Sequence, residues 1–113
     1  VTFRFTDILG GYVAQPILWS LGYRLGFGPA TTLHERNPHD CLIDFESEIP
    51  LYLYAEKVVE IAQKSVSRGS AIEEKMRAVY QGLYNNNIVS PQELSLLNTW
   101  LEDVSHAAEM RGL

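Results

Sequence analysis

Side chains that are able to bind a metal ion or act as a nucleophile are concentrated between residues 34 and 48. The stretch contains two of the three histidines of the chain and its one cysteine. The residues that would form such a site are His34, His39, Cys41 and Asp44. They lack the paired Cys-x-x-Cys spacing of common zinc sites, and a cysteine and a histidine this close in sequence rarely meet in catalytic geometry. A small metal- or thiol-dependent site is therefore the second of two functions that we weigh.

The same stretch is acidic, with no lysine or arginine between Asp40 and Glu48. It does not resemble a calcium loop, because the glycine and the regularly spaced Asp or Asn ligands are missing. Runs of like charge commonly remain solvated, which is a sufficient explanation for these carboxylates. In a functional interpretation, Asp44, Glu46 and Glu48 would steer a basic partner toward an adjoining apolar surface.

An apolar segment precedes this stretch, because Arg24 is the one charged residue between Ile8 and Leu33. A helix that is apolar on all sides must be covered by a core, by another chain or by a membrane. Trp19, Tyr23 and Phe27 recur at four-residue spacing and would form an aromatic ridge of the kind enriched at interfaces. A membrane location is the least favoured, since an arginine inside a span costs about 2.5–3.5 kcal/mol.

Length and composition limit the classes of protein to which the chain can belong. The chain has 113 residues, of which 46% are hydrophobic and 20% charged, and its net charge is −5. This size fits one domain, and the composition excludes a disordered chain. One cysteine excludes a disulfide scaffold, and the scattered basic residues argue against a nucleic-acid partner. We expect no cofactor, and the unpaired Cys41 favours a reducing compartment, the cytoplasm.

The elements that position these residues are predicted to be helices. Ser90 and Glu93 form a capping box, with Pro91 at the first helical position and Gly112 as a stop. The asparagines 85–87 are expected to end the preceding helix, because asparagine tolerates the left-handed conformation. The predicted helices cover residues 7–26 with a break at Pro16, 48–66 with Pro50 in the first turn, 71–84 and 91–110.

These elements predict an all-α fold, an irregular four-helix bundle with a kinked, glycine-rich, apolar N-terminal helix. The single domain divides into an apolar segment over residues 1–33, a polar connector over 34–46 and three amphipathic helices over 47–113. Apolar residues at helical spacing are expected to form the core. The expected core residues are Leu21, Val58, Ile61, Met76, Val79, Leu94, Leu97, Leu101 and Val104.

The sequence carries no motif that specifically resembles a known family, and no convincing catalytic set. We therefore expect a non-catalytic protein–protein interaction module, either a homo-oligomeric subunit or a small accessory or adaptor protein. The expected contacts are Trp19, Tyr23 and Phe27, with an acidic rim of Asp44, Glu46 and Glu48. The partner would be another protein or a second copy of the chain.

Overall fold

The computed structural model describes residues 3–112, and its regular structure is helical throughout. The four α-helices are α1 (Phe3–Ser20), α2 (Cys41–Ser65), α3 (Ile72–Asn85) and α4 (Pro91–Met110). A single 3-10 turn, Val66–Arg68, follows α2. The prediction of an all-α fold with four helices is confirmed.

The core lies where α1, α2 and α3 pack against one another, and α4 packs on the outer side of α3. Helix α1 contributes one side chain per turn, from Phe5, Leu9, Val13 and Ile17. Residues at four-residue spacing lie on one face of a helix, so this face of α1 is covered by its neighbours. Val58, Ile61 and Ala62 of α2, Val79 and Leu83 of α3, and Ile88 and Val89 of the following loop complete this core.

Helix α1 does not continue to residue 26 as the apolar composition suggested. It passes through Pro16 without interruption and ends at Ser20. Gly22 adopts a φ of 85°, and the N–H groups of Gly22 and Tyr23 donate to the carbonyls of Trp19 (3.0 Å) and Leu18 (2.9 Å). This is the Schellman pattern, in which a left-handed glycine ends a helix and satisfies its last carbonyl groups. Gly22 therefore stops α1, and the prediction of a helix over 7–26 is wrong at both ends.

Residues 23–40, which follow this stop, have no regular secondary structure and are exposed. The part of the predicted helix over residues 23–26 is therefore not helical in the structure. Within residues 3–112, no helix is long and apolar enough to cross a membrane.

Helix α2 begins at Cys41, earlier than predicted. The Asp40 Oδ1 atom accepts hydrogen bonds from the backbone N–H groups of Leu42 (3.0 Å) and Ile43 (3.2 Å). An aspartate N-cap of this kind satisfies donors that have no partner inside the helix. Pro50 therefore lies inside α2 rather than in its first turn, and the connector ends at Asp40 rather than at residue 46.

The last two helices begin and end largely as the sequence predicts. Asn87 has a φ of 58°, and the Ile88 N–H donates to the Leu83 carbonyl (2.9 Å), so the asparagine run does end α3. The capping box of α4 is present, with Ser90 N–H donating to Glu93 Oε2 (2.8 Å) and Glu93 N–H to Ser90 Oγ (3.2 Å).

The start of α3 is held by the carboxylate of Glu74. The Glu74 carboxylate accepts from the backbone N–H groups of Ser70 (2.9 Å) and Ala71 (3.4 Å). These hydrogen bonds, led by the one from Ser70, lower the pKa of Glu74 below its ordinary value.

The predicted core is mostly confirmed. Val58, Ile61, Val79, Leu97 and Leu101 are buried. Leu21, Met76 and Leu94 are partly buried. Val104 is 42% exposed, because α4 has a covering helix on one side only. The prediction that Val104 belongs to the core is wrong.

Candidate functional site

The three predicted aromatic contact residues are all exposed, at 54% for Trp19, 64% for Tyr23 and 97% for Phe27. Trp19 and Tyr23 line one small pocket of about 230 Å³ with Gly22 and Arg24. Phe27 is not among its lining residues. The helical ridge expected from the four-residue spacing does not form, because α1 ends between Trp19 and Tyr23.

The predicted acidic rim lies on α2 rather than in a loop. Asp44 is in the first turn, where a carboxylate interacts favourably with the helix dipole. Its Oδ2 atom is 3.5 Å from His39 Nδ1. Glu46 is exposed and Glu48 partly buried. All three carboxylates therefore belong to the N-terminal part of α2, and their role in steering a partner stays a prediction.

The metal- or thiol-dependent site predicted from His34, His39, Cys41 and Asp44 does not assemble. Among the described residues, no group of three or more His, Cys, Asp or Glu side chains is placed to hold a metal ion. Cys41 is the exposed first residue of α2. His39 and Asp44 approach one another and form at most a pair.

Two grooves flank α3, and the first is apolar. It lies between α1 and α3, has a volume of about 230 Å³ and is lined largely by aliphatic side chains such as Val13, Ile17 and Met76. Tyr80 also lines it, and burial together with the nearby Glu93 raises the pKa of its phenol. The phenol therefore remains protonated and neutral around pH 7.

The second groove lies between α3 and α4, has a volume of about 380 Å³ and is open to solvent. Its lining combines one aromatic ring with amide, hydroxyl and carboxylate groups. The lining residues are Gln81, Tyr84, Pro91, Leu94, Ser95, Asn98, Thr99 and Glu102. A few convergent polar groups beside an apolar surface are typical of a small-molecule site.

Hydrogen bonds fix the polar side chains of this α3–α4 groove. Arg77 Nη1 of α3 donates to Asn98 Oδ1 of α4, which ties the two helices together. Gln81 Nε2 donates to Asn85 Oδ1 at 2.9 Å, and Thr99 Oγ1 donates to the Ser95 carbonyl at 3.3 Å. The groove is therefore pre-formed on two adjacent helices.

Sequence reasoning missed the α3–α4 groove, although α4 carried a signal for it. Ser95 and Thr99, and likewise Asn98 and Glu102, are four residues apart and lie beside the apolar stripe of α4. What the sequence did not show is that α3 would place Tyr84 opposite these residues.

A family model decides the affiliation of the chain. The model of the STELLO glycosyltransferases matches residues 4–110. The chain belongs to the STELLO glycosyltransferase family. No curated protein and no solved structure matches it.

Membership of the STELLO glycosyltransferases overturns the functional prediction. The expected non-catalytic interaction module is wrong, because the match spans nearly the whole chain and points to a glycosyltransferase. Composition and short motifs did not predict this family membership. The sequence has no glycine-rich phosphate loop and no paired Cys-x-x-Cys, and such motifs are the features that sequence inspection recognises.

Proposed function

We propose that this chain works in glycosyl transfer, the activity for which its family is named. The observation that carries the proposal is the match to the STELLO glycosyltransferases over residues 4–110, which extends across all four helices. A match of this extent reflects the whole helical unit and not an isolated motif.

Glycosyl transfer moves a sugar from an activated donor to an acceptor hydroxyl. The acceptor oxygen forms a bond to the anomeric carbon, and the bond from that carbon to the leaving group breaks. The leaving group departs with the electron pair, and the hydroxyl proton passes to a base. A protein accelerates such a reaction largely by holding the two substrates in reacting geometry.

The α3–α4 groove supports this proposal, because its chemistry suits a molecule rich in hydroxyl groups. Amide and hydroxyl side chains such as Gln81, Asn98 and Thr99 donate and accept hydrogen bonds with equal ease. The groove is accessible from solvent and needs no rearrangement of the helices to be entered.

A transfer assay with the full chain tests the proposal. The protein is incubated with radiolabelled nucleotide sugars and neutral oligosaccharide acceptors, and the products are separated by chromatography. We expect label to appear in the acceptor in proportion to the amount of protein.

The matched control is Leu83→Asp, prepared in the same way. Leu83 is fully buried in the core, so an unpaired carboxylate there prevents folding. Transfer that persists in this variant comes from a contaminant. If the wild-type chain is folded by circular dichroism and transfers no more label than Leu83→Asp, the proposal is wrong.

Two further expectations are proposals of ours and are independent of this activity. Exposed aromatic side chains, Trp19, Tyr23 and Phe27, are proposed to contact a protein partner or a second copy of the chain.

A cytoplasmic location is proposed on the basis of the unpaired Cys41. Microscopy of the fluorescently tagged protein checks the location.

A further inference from the structure

We propose that the α3–α4 groove binds the sugar acceptor, as a neutral oligosaccharide that lies along the two helices. The inference rests on the proposed function and names the substrate class of one site. Four features of the groove carry it: an aromatic ring, free amide groups, the sign of its charge and its size.

The aromatic ring belongs to Tyr84, which is 37% exposed and lines the groove. A pyranose ring has one face formed largely by C–H groups, and such a face packs against an aromatic ring. Tyrosine adds a hydroxyl group at the rim of that contact, so one side chain offers both an apolar and a polar surface.

The amide groups that line the groove keep unused hydrogen-bonding capacity. Each amide has two donors and two acceptor lone pairs. The bonds within the protein use Gln81 Nε2 and Asn98 Oδ1, which leaves Gln81 Oε1 and Asn98 Nδ2 for sugar hydroxyls. Because Arg77 holds the Asn98 amide in place, this group is oriented before a sugar binds.

The charge of the groove favours the sugar acceptor over the nucleotide-sugar donor as its ligand. Glu102 is the charged residue of the lining, and its carboxylate repels the diphosphate of a nucleotide sugar. A carboxylate is, in contrast, a strong acceptor for neutral hydroxyl groups. Arg77, which donates to the lining Asn98, offsets this carboxylate, so the groove carries no net positive charge of the kind that attracts a diphosphate, and this favours a neutral sugar chain.

The size of the groove fits this class of ligand. Its volume of about 380 Å³ falls in the range of roughly 300–1,000 Å³ that is usual for small-molecule sites. Because the groove is open to solvent, it admits a chain whose ends extend into solvent.

The test is a titration of the isotope-labelled full chain followed by NMR. The probes are neutral tetrasaccharides of glucose, of mannose and of N-acetylglucosamine, and uridine diphosphate represents the donor side. We expect at least one tetrasaccharide to shift the amide resonances of Tyr84, Asn98 and Glu102, and we expect uridine diphosphate to leave them unchanged.

Variants make the assignment specific. Tyr84→Ala is expected to weaken tetrasaccharide binding about tenfold, because it removes the ring surface, whereas Tyr84→Phe retains most of the affinity. The matched control is Tyr52→Ala, since Tyr52 is a 67% exposed tyrosine on α2, outside the groove. Circular dichroism of each variant checks that the helices are intact.

Several results would overturn the inference. These are shifts confined to residues outside the groove, no response to any tetrasaccharide, binding of uridine diphosphate in the groove, or equal affinities for Tyr84→Ala and Tyr52→Ala. Transfer activity without groove binding would refute this inference alone. Groove binding that depends on Tyr84, without transfer activity, would refute the proposed function and leave the sugar site standing.

Discussion

Gly82 of α3 packs directly against Ile61 and Ser65 of α2, and an alanine at this position provides a sharp test of the packing. A Cβ atom built there would lie 2.6 Å from the Ile61 Cγ2 atom and 3.2 Å from the Ser65 Oγ atom. The first distance is far shorter than the roughly 3.5–4.0 Å of an ordinary carbon–carbon contact. Because the Ile61 methyl group is attached at a stiff, β-branched carbon, the backbones must separate to admit it.

Two opposing effects set the magnitude for Gly82→Ala. Alanine is favoured over glycine inside a helix by about 0.8–1.0 kcal/mol. Overpacking a well-packed core costs typically about 1–3 kcal/mol. We therefore expect a net loss of stability of about 0–2 kcal/mol.

Gly11→Ala is the matched control. Gly11 also lies inside a helix, α1, and a Cβ atom there meets nothing within 4 Å. This variant should gain the helical preference alone. The difference between the free energies of unfolding of the two variants cancels that preference and isolates the overpacking cost, about 1–3 kcal/mol.

Urea denaturation followed by far-UV circular dichroism measures both values. Similar dependence on urea in the two variants would show that the unfolded states are comparable. Equal stability of Gly82→Ala and Gly11→Ala would refute the packing of α2 on α3 as described.

Three further predictions concern a buried cation, an acid-sensitive cap and the exposed aromatic residues. Lys75 is buried, and its Nζ atom donates a hydrogen bond to the Val66 carbonyl at 2.5 Å. Lys75→Met keeps the alkyl packing but removes this bond, so it should lower the free energy of unfolding, measured by urea titration, by about 1.5–3 kcal/mol. An unchanged free energy of unfolding would show that the bond contributes nothing to stability. The pKa of Glu74 is lowered in the folded chain, so its stabilising contribution is present at neutral pH and is lost as the pH falls through the lowered value. Glu74→Gln should therefore flatten the acid side of the stability–pH curve, and an unchanged curve would refute this assignment. If the exposed aromatic residues mediate self-association, light scattering should show a larger mass for the wild-type chain than for the double variant Trp19→Ala, Phe27→Ala. A wild-type chain that is monomeric at all concentrations would contradict self-association.

Sequence reasoning was most successful where a structure is decided within one helical turn. The capping box of Ser90 and Glu93 predicted the start of α4, and Asn87 adopts the left-handed conformation expected of the asparagine run. These features depend on side chains that bond to the nearest backbone groups. The same logic, applied more strictly to Asp40 and Gly22, would have located the true start of α2 and the end of α1.

Sequence reasoning was least successful where it inferred from apolar composition alone which residues are helical and buried. The apolar run from Ile8 to Leu33 led to the prediction of a helix over residues 7–26, yet α1 ends at Ser20, and Phe27 and Leu33 are exposed. Phe5, placed near the chain start, is fully buried. Hydrophobicity states that a side chain favours burial, and only the neighbouring elements determine whether it is covered.

The sequence by itself determined that the chain forms four helices and where the last two begin and end, because capping residues and four-residue periodicity act locally. The tertiary structure decided which face of α1 is buried and leaves no room for a side chain at Gly82. It also brought Tyr84 of α3 into one groove with Asn98 and Glu102 of α4. The physical reason is distance along the chain. A groove formed by residues from two helices exists only once their packing has brought them together, and no local preference encodes that packing.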